Sequence, residues 1–252
     1  MSKRPRPVEV ALFDYGAGNL HSLAKGLEAG GARVTVTTRW AEALAREALV
    51  LPGVGSFGAA VKALAGAEAQ VREALEAGLP CLGICLGMQL LFETSEESDG
   101  AGIGLIPGQV RRIRARTVPQ MGWNDVETSN DPLFAGLHDP DVHEPDADHA
   151  GSHGPVSHGP VSHGSGSGGP DSHGPDSGAP GSGAPGLTAY YANSFICEAA
   201  DPEAVIARST YEEETYAAAV RRGRTWAVQF HPEKSSTPGL HLLRNFLAQV
   251  SP

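Results

Sequence analysis

The chain opens with a repeated exchange between short apolar runs and longer amphipathic ones. Val8 to Phe13 is a continuous apolar-rich run of strand length, followed by a helical pattern over Asn19 to Ala29 that Gly30 and Gly31 close. Arg33 to Thr37 and Ala48 to Leu51 predict two further strands, and Pro80 to Ile84 a fourth that ends in a tight turn. Between and after them, Ser56 to Leu64, Glu68 to Ala77 and Leu86 to Phe92 carry helical spacing. Strand–helix alternation of this kind predicts an α/β fold with a parallel sheet covered on both faces, whose ligands sit at the carboxyl ends of the strands.

The second half is richer in strand signals. Gln109 to Ile113, Leu187 to Phe195, Ala204 to Thr210, Thr215 to Val220 and Trp226 to Phe230 are β-prone runs separated by charged or turn residues. A closing helix, Gly239 to Val250, places Leu240, Leu243, Phe246, Leu247 and Val250 on one face.

One stretch breaks the pattern. From about 138 to 186 there is no Lys or Arg, little that is large and apolar, and a degenerate pentapeptide repeat beginning Ser152-His153-Gly154-Pro155-Val156. So short a polar repeat has no face to bury, so it reads as a disordered insert in a single domain spanning the chain. Without it about 200 residues remain, enough for one core. It also changes the charge: seven acids of a chain with formal charge −10 fall inside it, leaving the rest close to neutral. No basic stripe suits a nucleic-acid backbone. Arg111, Arg112, Arg114 and Arg116 form the only basic cluster, read as a solvated strand edge, with a phosphate or partner contact as the alternative. Cys81, Cys85 and Cys197 have no scaffold-like spacing, and the apolar run after Pro7 is too short for a signal peptide or a membrane span. A cytosolic protein is expected.

Candidate chemistry concentrates at Gly83-Ile84-Cys85-Leu86-Gly87-Met88-Gln89, where a strand turns into a helix. A nucleophile on such a turn is exposed to substrate, and the helix start favours thiolate and an oxyanion through the Leu86 N–H. Cys81 and Cys197 lack this setting and read as buried structural thiols. A cysteine nucleophile needs a base and an orienter. Gln229-Phe230-His231-Pro232-Glu233-Lys234-Ser235 follows a predicted strand, and in extended chain Glu233 would point the same way as His231 and hold its imidazole. Seven of the ten histidines lie in the insert, and His21 and His241 on predicted helices, which leaves His231 as the base.

The elbow with the downstream His231-Pro232-Glu233 resembles the class I glutamine amidotransferases. Asp14-Tyr15-Gly16-Ala17-Gly18-Asn19-Leu20, Pro52-Gly53-Val54-Gly55-Ser56-Phe57, Gln120-Met121-Gly122-Trp123-Asn124 and the ending Lys234-Ser235-Ser236 narrow the resemblance to the glutaminase subunits of imidazole glycerol phosphate synthases. It covers the whole chain but the insert. The resemblance implies a three-layer fold with a central, mostly parallel sheet and a β-rich second half, and a Cys85–His231–Glu233 triad. It implies that Gln89, Glu97 and Ser194 bind L-glutamine, and that Gly53, Val54 and Gly55 join Leu86 as the oxyanion hole. Without it, Glu97 is a solvated charge in an acidic run and the glycines an ordinary turn.

The resemblance further implies no metal or organic cofactor. It implies a heterodimer with a (β/α)₈-barrel cyclase that Gly18, Asn19, Met121, Trp123 and Asn124 face, although a core tryptophan is the common alternative. Asn193 and Phe195 depart from the family pattern, which has His and Tyr there. Two rivals stay open: another class I glutaminase, and a non-catalytic protein whose His-rich insert sequesters metal.

Overall fold

In the computed structural model the described residues are 6–16, 20–53, 55–64, 66–137 and 187–250. The low-complexity insert, Gly18, Asn19 and Val54 lie outside them.

The first half alternates as its pattern predicts, except that a one-turn helix at Trp40–Ala43 was not expected and the helix expected to reach Phe92 stops at Gln89. β1 (Val8–Phe13) leads to α1 (His21–Ala29), β2 (Ala32–Thr37), α2 (Trp40–Ala43), β3 (Ala48–Leu51), α3 (Phe57–Leu64), α4 (Glu68–Glu76), β4 (Cys81–Ile84) and α5 (Leu86–Gln89). After β5 (Thr94–Ser95) come β6 (Gly108–Arg112) and β7 (Gln120–Thr128). Beyond the insert lie β8 (Leu187–Asn193), β9 (Phe195–Ala199), β10 (Val205–Tyr211), β11 (Glu214–Arg222), β12 (Thr225–Val228) and α6 (Ser236–Val250).

Nine strands form one sheet in the order β2-β1-β3-β4-β12-β11-β10-β7-β8, and β5-β6-β9 form a small second sheet. The first five run parallel; β11, β10, β7 and β8 pair antiparallel. Alternation along the strands splits the core. Val10 and Leu12 face a layer with Leu23, Leu27, Leu243 and Phe246 from α1 and α6, whereas Ala11 and Phe13 face one with Phe57, Leu64, Val71 and Leu75 from α3 and α4. These are the two covering layers that the strand–helix alternation calls for.

Four further expectations need correction. α6 starts three residues before the predicted Gly239, because Pro238 falls in the first turn, where backbone N–H groups have no helical acceptor to lose. The single predicted strand Leu187 to Phe195 is two: β8 ends at Asn193, and past Ser194 the chain changes sheets, β9 pairing with β6. β7 was not predicted, since Gly122, Asn124 and Asp125 are poor strand formers; pairing with β8 and β10 overrides that preference. Arg111 is buried rather than solvated, with its guanidinium 2.6 Å from Glu198 Oε1 and 2.5 Å from Glu214 Oε1. No helix among the described residues is long and apolar enough to cross a membrane.

Candidate active site

Three neighbouring parallel strands end at one level, with Leu51 of β3 beside Gly83 and Ile84 of β4 beside Val228 of β12. Each delivers a piece of the site at its carboxyl end. β4 delivers Cys85, whose N–H donates to the Val228 carbonyl at 2.7 Å and whose backbone sits at φ +47, ψ −103. That is a sparsely populated conformation for any residue with a Cβ, and such strain clusters at functional positions. α5 starts at once, locked against β3 by Gly87: a Cβ there would lie 2.0 Å from the Leu51 carbonyl oxygen.

β12 delivers His231, its N–H donating to the Tyr190 carbonyl of β8 at 2.8 Å. The residues Pro232–Lys234 then form one 3₁₀ turn. His231 Nδ1 lies 2.8 Å from Glu233 Oε1, and the ring stands beside Cys85, since a Cβ on Gly53 would lie 2.9 Å from both His231 Cε1 and Cys85 Cβ. The partner is the one expected, although the turn, not an extended chain, brings it round. Burial opposes the charged imidazole, but the hydrogen bonds to Cys85 and Glu233 and the charges of both outweigh it and push its pKa up to about 9. Ser235, absent from the sequence-based list of site residues, fixes the turn: its hydroxyl donates to the His231 carbonyl at 2.7 Å and accepts the Tyr190 N–H at 3.0 Å.

A cavity of about 190 Å³ opens beside the sulfur, lined by Gly53, Gly55, Cys85, Leu86, Gln89, Glu97, Asn193, Ser194 and Phe195 among others. It thus gathers every described residue expected to bind glutamine or an oxyanion. Gln89 Nε2 and Asn193 Nδ2 both donate to the Phe195 carbonyl, at 3.4 and 3.1 Å. Glu97 is not a freely solvated charge: its carboxylate accepts the Phe57 N–H at the start of α3 at 3.2 Å. The Leu86 N–H heads α5, where no helical acceptor is available to it. Cys81 and Cys197 are buried and their pKa values raised, Cys81 by burial alone and Cys197 by burial and then the charge of Cys85. They are core thiols, as expected.

Away from this cavity, Met121 and Trp123 point outward from β7, 65% and 54% exposed, so the core alternative for Trp123 does not hold. Trp123 meets Tyr190 of β8 edge-on, ring centres 6.1 Å apart. Asn124 is half-buried and its side-chain amide donates to the Thr210 carbonyl of β10 at 3.0 Å.

Likeness to known proteins gives the family. The family model for glutamine amidotransferase class-I matches residues 11–250. The chain is 39% identical over 249 residues to the imidazole glycerol phosphate synthase subunit HisH of Microcystis aeruginosa, covering 96% of this chain and 95% of that protein. The subunit of the same name from Synechocystis sp. is 36% identical, covering 96% and 97%. Among solved structures, a glutamine amidotransferase crystal structure superimposes with a TM-score of 0.62 at 18% identity, over 97% of this chain and all of that one. The structure of PurLQS from Thermotoga maritima gives 0.62 at 16%, over 98% and 100%. At such identities the likeness speaks for the fold.

Proposed function

The chain belongs to the class I glutamine amidotransferases, among the HisH subunits of imidazole glycerol phosphate synthase, and from that premise we propose how its residues divide the work. It is a glutaminase, releasing ammonia from glutamine for histidine biosynthesis. The observation that carries the residue assignment is an imidazole that hydrogen-bonds a carboxylate and stands beside a strained elbow cysteine.

Glutamine lies in the cavity with its amino-acid end toward Gln89, Glu97 and Ser194 and its amide over Cys85. The Cys85 thiolate attacks the amide carbon, and the C–O bond opens to an oxyanion. Leu86 N–H and a second N–H from the Gly53-Val54-Gly55 turn stabilise that charge where it develops. His231, charged and steadied by Glu233, gives its proton to the amide nitrogen, the C–N bond breaks, and ammonia leaves a thioester on Cys85. The now neutral His231 takes a proton from water, whose oxygen attacks the thioester. Glutamate departs, and Cys85 and His231 return as thiolate and imidazolium.

Ammonia released to bulk water is lost as ammonium, so the site works in a heterodimer with the cyclase subunit, a (β/α)₈ barrel. The exposed Met121 and Trp123 support the β7–β8 face as the docking surface, with Asn124 on the same strand. The described cysteines are all free, which suits the cytoplasm.

The test is glutamate release by the complex and by Cys85→Ala. The variant should lose glutamine-dependent synthesis while the cyclase still works on added ammonium salts. Residual glutamine-dependent activity near the parent's would remove Cys85 as nucleophile.

A further inference from the structure

Gln229 is a buried polar residue to which this mechanism gives no part. It follows β12, two residues before His231, and is wholly buried. Its backbone N–H donates to the Ala218 carbonyl at 2.8 Å. Residues two apart on extended chain project to the same side, and here the Gln229 and His231 side chains both turn toward Cys85. Gln229 Nε2 lies 3.5 Å from Cys85 Sγ, and the His231 ring stands beside the same residue, ring and cysteine each 2.9 Å from where a Cβ on Gly53 would be. The other end of the amide, Oε1, is buried and has no hydrogen-bond partner among the described residues. A methionine would fill this space without leaving a buried carbonyl unpaired, which is destabilising, so packing does not account for a glutamine.

We propose that Gln229 is a second hydrogen-bond donor to the Cys85 thiolate, a catalytic residue that acts by holding the sulfur's charge and direction. A thiolate has no proton to offer, so only the NH₂ end of the amide can bond it. An amide N–H differs from the imidazolium in having no proton to surrender at working pH. It therefore supports the anion before attack, and again when sulfur leaves the second tetrahedral intermediate, without quenching it.

The inference rests on Cys85 being the nucleophile. The experiment uses the complex with the cyclase and compares the parent, Q229M, Q229E and C85A. Glutamate release gives kcat and KM, and iodoacetamide labelling of the Cys85 peptide is followed by mass spectrometry across pH. Q229M keeps the volume and removes the donor. It should lower kcat at least about tenfold, the usual scale for a hydrogen bond to a charged group, with KM for glutamine changed less than about threefold. Its Cys85 labelling profile should move to higher pH, and that of Q229E further, since a carboxylate there opposes the thiolate. A purely structural glutamine would lower activity without moving the profile. Labelling that coincides with the parent's in Q229M overturns the proposal, and Q229E, identical in shape, decides by the same comparison should Q229M unfold. If C85A releases glutamate like the parent, the nucleophile assignment itself falls, an outcome distinct from failure of the Gln229 variants alone.

Discussion

A methyl group on Gly53 would stand 2.9 Å from His231 Cε1 and 2.9 Å from Cys85 Cβ, so the end of β3 touches both halves of the reacting pair. The need at Gly53 is for space. At Gly55, where φ is +107, the need is for a backbone that side chains resist. Two glycines lining one cavity thus answer two physical needs, space at one and backbone freedom at the other.

Gly53→Ala should therefore separate catalysis from folding. The added carbon pushes Cys85 or His231 aside, and a displacement near 1 Å costs about a hundredfold in rate. The overpacking costs about 1–3 kcal/mol of stability. Glutamate release and a thermal melt read the two effects; a folded variant with parental turnover would show that the contact has no bearing on geometry.

The His231 pKa of about 9 predicts a pH dependence of stability. The folded chain holds this proton more tightly than the unfolded chain, in which histidine titrates near about 6.5. The stabilisation is fully present below about 6.5 and disappears as pH rises through about 9. The melting temperature of the parent, compared with His231→Asn from pH 6 to 10, should show an advantage that shrinks over that window. A constant difference would contradict the shift. kcat/KM should also fall above about pH 9, as the proton needed by departing ammonia is lost.

Trp123→Glu and Met121→Glu should leave the melt of the isolated chain within about 0.5 kcal/mol, because both side chains lie outside the core. Binding of the cyclase, measured by calorimetry, should weaken at least about tenfold for Trp123→Glu. Unchanged affinity in both variants would move the docking surface elsewhere.

The insert, 138–186, joins buried Leu137 to buried Leu187. We propose that it is dispensable, since loop closure costs only about 0.6 kcal/mol per doubling of length. Replacement by a short Gly-Ser linker should keep cyclase-coupled activity within about twofold and raise stability slightly. Loss of cyclase binding on shortening, or of activity in the full chain on chelation, would assign the insert a function.

Much of this was legible from residues alone, for reasons that also explain the exceptions. β1 and β3 match their predicted bounds because a short apolar run between helical patterns has few other uses in a covered sheet. Cys85 was legible because glycines at Gly83 and Gly87 mark a turn that tolerates little bulk. The change of sheet at Ser194 left no such mark: Leu187 to Phe195 is β-prone throughout, and the break is set by β6 claiming β9. Arg111 was misread because its partners, Glu198 and Glu214, are remote in sequence. Ser235 and Gln229 stood within a recognised motif, yet their roles depend on which strand lies alongside, and spacing along one chain does not contain that.

The positive φ at Cys85 makes the nucleophile an unfavourable choice at its own position, since strain of this kind amounts to about 1–3 kcal/mol. A glycine there would sit at ease. Cys85→Gly, inert toward glutamine, relieves that strain while giving up a buried side chain beside His231, so it should melt closer to the parent than the loss of a buried thiol alone would imply. The cysteine thus stands against the preference of its own backbone, and a descendant that kept it would have been filtered by demand for ammonia.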